Sequence, residues 1–294
     1  MGQLVYVNGN LVQRDQAVVS AFDRSFLYGD GLFETIRAYG GVPFLLEEHL
    51  DRLGRSATEL GIAVPDRDEI AGAVHKLITA NKLGDVYVRI TLSRGIHDGA
   101  LAPDKPMPPT LVIDARLLHP YPDELYRRGA RVTVSSYRHD SGSPLRRHKT
   151  TSYLLSVLAR QEAARQGADE AVLLDHAGHV AEGSVSSVFI VRGGVLWTPP
   201  LDMNILPGVT RAAVLRLARE AGIEICEARF DLAAFQAADE AFLTNALMEI
   251  LPVCSVAGRD LPETAGRPGM AGPITASLSQ AYAALVRMTA GKRP

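Results

Sequence analysis

Short β-rich runs and segments of helical periodicity alternate along the whole chain, and this mixture predicts an α+β fold. The first run, 4–7, is followed by Asn8-Gly9, which favours the tight turn of a β-hairpin. Apolar residues recur at helical spacing from Glu47 to Leu60, and Gly61 is typical of a helix end. The same criteria predict helices over 70–83, 153–166 and 274–288, a helix beginning near Val209, and strands over 86–92, 110–113, 131–137, 170–174 and 185–191.

Two closely spaced prolines, in His119-Pro120-Tyr121-Pro122, separate these elements into two groups. Neither a helix nor a central strand continues through such a segment. The 294 residues are also enough for two domains. We therefore predict an N-terminal domain over 1–118, an interdomain linker over 119–126 and a C-terminal domain over 127–294. The Gly- and Pro-rich stretch 95–109 is predicted to be a long loop, a kind of segment that is often functional.

Composition and charge exclude several classes of function. The chain has 31 basic and 33 acidic side chains, so a broad positive field for nucleic acid is not expected. No apolar stretch approaches a membrane span, and the N-terminus lacks the pattern of a secretory signal. Two cysteines and scattered histidines offer no disulfide framework and no metal-ligand spacing. We expect a cytoplasmic protein whose partners are small molecules or a second copy of itself, without a metal.

Lys149 and Glu182 are candidates for chemistry, although each also has an ordinary structural interpretation. Lys149 follows Arg146-Arg147-His148, where neighbouring cations favour the neutral amine that forms an imine, but an isolated lysine in such a loop is usually solvated. Glu182 precedes a predicted strand. It could pair with the ring nitrogen of a pyridine cofactor, or it could simply lie in solvent.

A possible anion site lies at the start of the helix near Val209. Leu206-Pro207-Gly208 leaves free backbone N–H groups at the positive helix end, and Thr210 adds a hydroxyl. The same residues could serve only as a helix cap. Arg52, between the apolar residues of the 47–60 helix, could bind a phosphate or pair with Glu48 one turn away.

The order of five sequence blocks is more specific than any single residue. The first runs from Asp-Arg-Ser-Phe-Leu-Tyr-Gly-Asp-Gly-Leu-Phe-Glu at 23–34 to His-Leu-Asp-Arg-Leu at 49–53. The others are Lys-Thr-Thr-Ser-Tyr-Leu at 149–154, Glu-Gly-Ser-Val-Ser-Ser-Val-Phe at 182–189, Gly-Val-Thr-Arg at 208–211 and Thr-Asn-Ala-Leu-Met-Glu-Ile-Leu-Pro-Val at 244–253. Together they resemble the signature of class IV pyridoxal-5′-phosphate (PLP) enzymes, which include branched-chain aminotransferases, D-amino-acid aminotransferases and 4-amino-4-deoxychorismate lyases.

This resemblance implies fold type IV, with a small α/β N-terminal domain and a larger barrel-like C-terminal domain that binds PLP, and a homodimer. It implies that Lys149 carries PLP as a Schiff base and moves the substrate proton. The other cofactor-binding residues that it implies are Arg52, Glu182, Val209, Thr210 and Asn245. The substrate-binding residues that it implies are Phe33, Tyr87, Arg89 and Ala246.

Departures from these blocks leave more than one subfamily open. Phe33 stands where D-amino-acid aminotransferases tend to have tyrosine, and Ser187 replaces a usual asparagine. We predict a transaminase that moves an amino group between a branched-chain or D-amino acid and a 2-oxo acid by a ping-pong mechanism. The alternative is the lyase, which releases pyruvate and 4-aminobenzoate. A non-catalytic PLP-binding protein is disfavoured, since binding alone does not need Glu182 as the partner of an electron sink.

Overall fold

A computed structural model describes residues 3–97, 101–102, 107–262 and 271–291. The strands in this part of the chain are β1 (Leu4–Val7), β2 (Asn10–Gln13), β3 (Gly31–Tyr39), β4 (Val42–Pro43), β5 (Val86–Ser93), β6 (Thr110–Leu117), β7 (Ala130–His139), β8 (Glu170–Asp175), β9 (Val180–Gly183), β10 (Ser187–Arg192), β11 (Val195–Thr198), β12 (Ile225–Glu227), β13 (Glu240–Asn245), β14 (Glu249–Val256) and β15 (Arg259–Asp260). The helices are α1 (Arg24–Tyr28), α2 (Leu46–Leu60), α3 (Arg67–Ala80), α4 (Asp123–Arg128), α5 (Leu154–Arg165), α6 (Val209–Glu220), α7 (Leu232–Gln236) and α8 (Pro273–Ala290). The predicted α+β class is confirmed.

The chain divides into two compact units that are not continuous in sequence. Unit 1 comprises Met1–His119, His148–Tyr153 and Val286–Pro294, and unit 2 comprises Pro120–Arg147 and Leu154–Leu285. The chain first passes from unit 1 to unit 2 between residues 119 and 120, inside the predicted linker. The prediction of two consecutive domains differs from this division, because the short segment around Lys149 forms its backbone hydrogen bonds with β3 of unit 1.

Unit 1 is an antiparallel six-stranded sheet in the order β2-β1-β6-β5-β3-β4, with helices on one face. Alternate residues of the strands bury their apolar side chains against α2 and α3. The core that they form includes Ile36, Leu53, Leu77, Val88 and Ile90. The strand residues between them, which include Phe33 and Arg89, lie on the opposite face of the sheet. We call this face the open face.

Unit 2 contains a mixed nine-stranded sheet. Its strands follow the order β12-β11-β10-β13-β14-β7-β8-β9, with β15 beside β14. The pairs β7–β8, β14–β7 and β11–β12 are parallel, and the remaining pairs are antiparallel. Phe189 of β10 stacks on Phe242 of β13 at 4.9 Å between ring centroids, and both side chains are fully buried.

Several predicted elements have different limits in the structure, for local reasons. The helix predicted over 70–83 begins at Arg67, because the Asp66 side chain accepts the backbone N–H groups of Asp68 and Glu69. The strand predicted over 185–191 begins at Ser187. The predicted loop 95–109 lies partly outside the described residues. Within the described residues, no helix is both long and apolar enough to cross a membrane.

Candidate active site

Lys149 lies in a short segment that pairs with the beginning of β3. The Phe33 N–H donates to the Lys149 carbonyl at 2.8 Å, and the Thr151 N–H donates to the Gly31 carbonyl at 2.9 Å. The Thr151 hydroxyl also donates to the Gly29 carbonyl at 2.8 Å. Gly29 has φ 67°, and a Cβ there would approach Ser152 Oγ to 2.5 Å, so glycine is strongly favoured at this position. The Lys149 backbone is therefore held by unit 1.

The amine of Lys149 lies beside two aromatic rings. Its Nζ lies 4.6 Å from the Phe33 ring centroid and 5.4 Å from the Tyr153 ring centroid. The Tyr153 ring meets Phe33 edge-on, at 5.0 Å and 86°. Arg89 places its guanidinium carbon 3.8 Å from the Phe33 centroid as well. Phe33, itself only 3% exposed, thus contacts both a primary amine and a guanidinium.

The sequence suggests that the basic residues before Lys149 lie around its amine. In the structure, two of them have other partners. Arg146 pairs with Glu182 in unit 2. The His148 ring lies in unit 1, with Nδ1 3.1 Å from Ser56 Oγ. Arg89 contacts the same Phe33 ring as Lys149, and Arg52 and Lys149 both act on His49.

Arg52 is part of a buried cluster with Glu34 and His49. Its Nε and Nη2 donate to the two carboxylate oxygens of Glu34, at 2.8 and 2.6 Å, and His49 Nδ1 lies 2.7 Å from Glu34 Oε2. Burial alone would raise the pKa of Glu34, but Arg52 and His49 together lower it to about 2. Glu34 is therefore a buried partner of Arg52, which the sequence did not indicate.

The charge of Lys149 also reaches this cluster. Burial lowers the pKa of His49, and the positive charges of Arg52 and Lys149 lower it further, against the opposing effect of Glu34. Two predicted functional cations, Lys149 and Arg52, therefore act on the same buried imidazole. Sequence reasoning assigned no role to Glu34. A carboxylate at a core-facing position of an apolar alternation was the available signal, since such a group needs a cationic partner.

Glu182 lies on β9 of unit 2 and is also buried. Arg146 Nε and Nη2 donate to its Oε1 at 2.9 and 2.6 Å, and the Leu206 N–H donates to Oε2 at 3.3 Å. His139 Nδ1 is 3.6 Å from the same Oε1. Burial raises the pKa of Glu182, but Arg146 and His139 outweigh it, so the pKa lies below its ordinary value. Glu182 is thus an ionised carboxylate at neutral pH.

The predicted anion site is a helix start in unit 2. Gly208 is the N-cap of α6, and no side chain caps this helix. Thr210 is buried in its first turn, and a Cβ on Gly208 would lie 2.9 Å from Ser187 Oγ. Arg211 turns away to the Pro199 carbonyl and Glu227. Backbone N–H groups at such an end favour one anionic group.

Asn245 and Tyr87 are engaged in contacts that the sequence did not indicate. Asn245 Oδ1 accepts the N–H groups of Leu247 and Met248, at 2.9 and 2.8 Å, so its side chain shapes the turn that contains Ala246. Tyr87 lies two residues from Arg89 on β5, and the Arg116 guanidinium covers its ring at 4.3 Å.

The predicted site residues are divided between the two units. Unit 1 holds Phe33, Tyr87, Arg89, Arg52 and Lys149. Unit 2 holds Glu182, Val209, Thr210, Asn245 and Ala246.

Known proteins resemble this chain in sequence and in fold. The family model described as "Amino-transferase class IV" matches residues 31–256. A Methanocaldococcus jannaschii protein named "Putative branched-chain-amino-acid aminotransferase" is 43% identical over 87% of this chain and 88% of its own length. The Bacillus subtilis aminodeoxychorismate lyase is 36% identical over 86% of each chain. The crystal structure of the Escherichia coli branched-chain amino acid aminotransferase matches with a TM-score of 0.91 and 32% identity, over 97% of this chain and 95% of that chain.

Proposed function

This chain belongs to the class IV amino-transferase family, and we propose on that premise that it transfers the amino group of a branched-chain or D-amino acid to a 2-oxo acid with PLP as cofactor. The observation that carries the proposal is the position of Lys149. Its segment pairs with β3, and its amine acts on the same buried histidine as Arg52. A nucleophilic amine and a buried cation in one neighbourhood suit a cofactor that bears an aldehyde and a phosphate.

The donor groups of the chain fit PLP. The aldehyde requires a primary amine, for which we propose Lys149. The phosphate requires cations and N–H donors, for which we propose Arg52 together with Val209 and Thr210; the uncapped start of α6 and the close approach at Gly208 support this role. The pyridine nitrogen requires an ionised carboxylate, and the lowered pKa of Glu182 supports it in that role.

When bound, PLP supplies an electron-withdrawing ring that stabilises negative charge on the carbon of the amino donor. Lys149 Nζ binds the cofactor and moves the proton of the donor Cα. Glu182 remains ionised and so keeps the ring nitrogen protonated. Arg89 and Tyr87 bind the donor carboxylate, Phe33 contacts the donor side chain, and the turn of Asn245 and Ala246 offers backbone donors.

A stepwise absorbance experiment tests this function. The purified protein is loaded with PLP, and its spectrum is followed after single additions of L-leucine, L-glutamate, D-alanine and D-glutamate without any oxo acid. We expect one class of donor to discharge the band of lysine-bound cofactor, and a 2-oxo acid to restore it. A spectrum that no donor changes would contradict the transaminase. The lyase is not favoured. Release of 4-aminobenzoate from aminodeoxychorismate would make the lyase the better assignment.

We further propose that the protein is a cytoplasmic homodimer. Unit 1 exposes a group of apolar side chains, which we call the α1 patch; they are Val18, Val19, Phe22, Phe26, Leu27, Tyr28, Ile96 and Leu101. Phe26, for example, is 76% exposed. Burial of such a patch by a second copy is the usual explanation for its exposure.

The mass in solution tests the dimer. We expect Phe26→Glu to shift the protein toward the monomer in light scattering. Leu117→Glu, at an exposed position on β6 outside the α1 patch, is the matched control and should leave the mass unchanged. Equal behaviour of the two variants would argue against the α1 patch as the interface. Cell fractionation tests the cytoplasmic location.

A further inference from the structure

The Phe33 ring is the common neighbour of two cationic groups on the open face of unit 1. The Arg89 guanidinium carbon lies 3.8 Å from its centroid, and Lys149 Nζ lies 4.6 Å from it. The two groups are therefore at most 8.4 Å apart. Two like charges this close repel each other, and both lose part of their hydration near a buried ring.

The two cations reach the ring through independent parts of the fold. In the β3–β5 register, Thr35 is paired with Arg89 and Phe33 with Thr91, so Arg89 stands next along the same face. Lys149 arrives on the segment that accepts the Phe33 N–H at 2.8 Å. Phe33 thus makes two contacts with Lys149. Its N–H donates to the Lys149 carbonyl, and its ring lies beside the Lys149 amine.

An aromatic ring compensates for this repulsion, because the negative potential of its face attracts a cation within about 6 Å of the centroid. A leucine or methionine of similar volume fills the space but carries no such potential. The edge of Tyr153 limits the movement of the ring. The arrangement consequently depends on the aromaticity of residue 33 and not only on its size.

We propose that Phe33 is a positioning residue, whose ring holds the Lys149 amine and the Arg89 guanidinium at a fixed separation so that one small amino acid reaches both. This role rests on the proposed function, in which Lys149 moves the donor proton and Arg89 binds the donor carboxylate. The ring also stabilises the protonated amine, and its loss makes Lys149 easier to deprotonate.

The test measures the amine directly and needs no turnover. The full-length chain, with cofactor removed, is labelled with trinitrobenzenesulfonate over a range of pH, and modification of Lys149 is quantified by peptide mass spectrometry. For Phe33→Leu we expect the labelling midpoint to fall by roughly one pH unit. Phe33→Tyr keeps the ring and should retain the wild-type midpoint. Phe44→Leu is the matched control, since it removes another buried aromatic of unit 1, one that meets Tyr39 edge-on.

Equal midpoints for Phe33→Leu and Phe33→Tyr would overturn the proposal. If Phe33→Leu does not fold, Arg89→Leu takes its place. Removing the second cation should raise the Lys149 midpoint, and an unchanged midpoint would again overturn the proposal. The proposed function fails by a different result, namely a Lys149→Ala protein that still binds PLP covalently and turns over.

Discussion

Glu34→Gln removes one negative charge from the buried cluster of unit 1 and nearly preserves its shape. The wild-type carboxylate accepts two hydrogen bonds from Arg52 and lies 2.7 Å from His49 Nδ1. The amide leaves the Arg52 guanidinium buried, with a neutral partner in place of a charged one. Removing one partner of a buried ion pair is strongly destabilising, because the remaining charge stays desolvated.

The magnitude follows from the pKa of Glu34. The cluster lowers this pKa from 4.5 to about 2. A difference of that size corresponds to about 3 kcal/mol in favour of the ionised folded state. Because the folded pKa is depressed, the contribution is fully present above pH 4.5 and is lost as the pH falls toward 2. The variant, which has no carboxylate, lacks this contribution at every pH.

Urea unfolding followed by circular dichroism measures the effect at pH 7 and at pH 3. We expect Glu34→Gln to lower the free energy of unfolding of unit 1 by about 3 kcal/mol at pH 7, and by much less at pH 3. Glu47→Gln is the matched control, since this carboxylate of α2 pairs with Arg67 at the surface, where solvent screens the pair and its loss costs little. A penalty equal to that of the control, or one independent of pH, would refute the reasoning.

Three further variants and one control address the cofactor. Lys149→Ala should abolish the absorbance of covalently bound PLP and turnover together, and full activity would contradict the role of the amine. Glu182→Ala should still bind PLP, while kcat falls by about 10²-fold or more, so an unchanged kcat would exclude this carboxylate as the ring-nitrogen partner. Gly208→Ala should weaken binding of PLP several-fold in fluorescence titration, because its Cβ would lie 2.9 Å from Ser187 Oγ. Gly54→Ala, where a Cβ meets no atom within 4 Å, should leave that affinity unchanged.

Local signals in the sequence were sufficient for the elements whose stability is itself local. The Asn8-Gly9 turn joins β1 and β2 in the predicted hairpin, with Val7 paired to Asn10 and φ values of 45° and 91° at the turn. The helix predicted over 47–60 ends at Gly61, which adopts the left-handed conformation. The order of the five blocks was sufficient for the family, since each block consists of one or two short runs that can be read directly from the sequence.

Contacts between distant parts of the chain were not accessible in this way. The sequence does not predict β3, because Glu34 interrupts its apolar alternation, and only the distant Arg52 and His49 explain why a carboxylate is buried there. Arg146 was interpreted as a neighbour of Lys149 from its position in the chain, yet its side chain pairs with Glu182. Both errors have the same physical origin, because a charge pair leaves no periodic trace in a sequence.

Residues 148–153 belong to unit 1 although they follow the first segment of unit 2 in the chain. This affects the order in which the parts of unit 1 emerge during synthesis. A nascent chain that has emerged as far as His119 already contains all six strands of the first sheet, together with Arg52 and Glu34. It does not yet contain the segment that occupies the Phe33 N–H and the Gly31 carbonyl. Arg52 and the strand that pairs with the lysine segment are thus synthesised before Lys149, which is added to that strand afterwards.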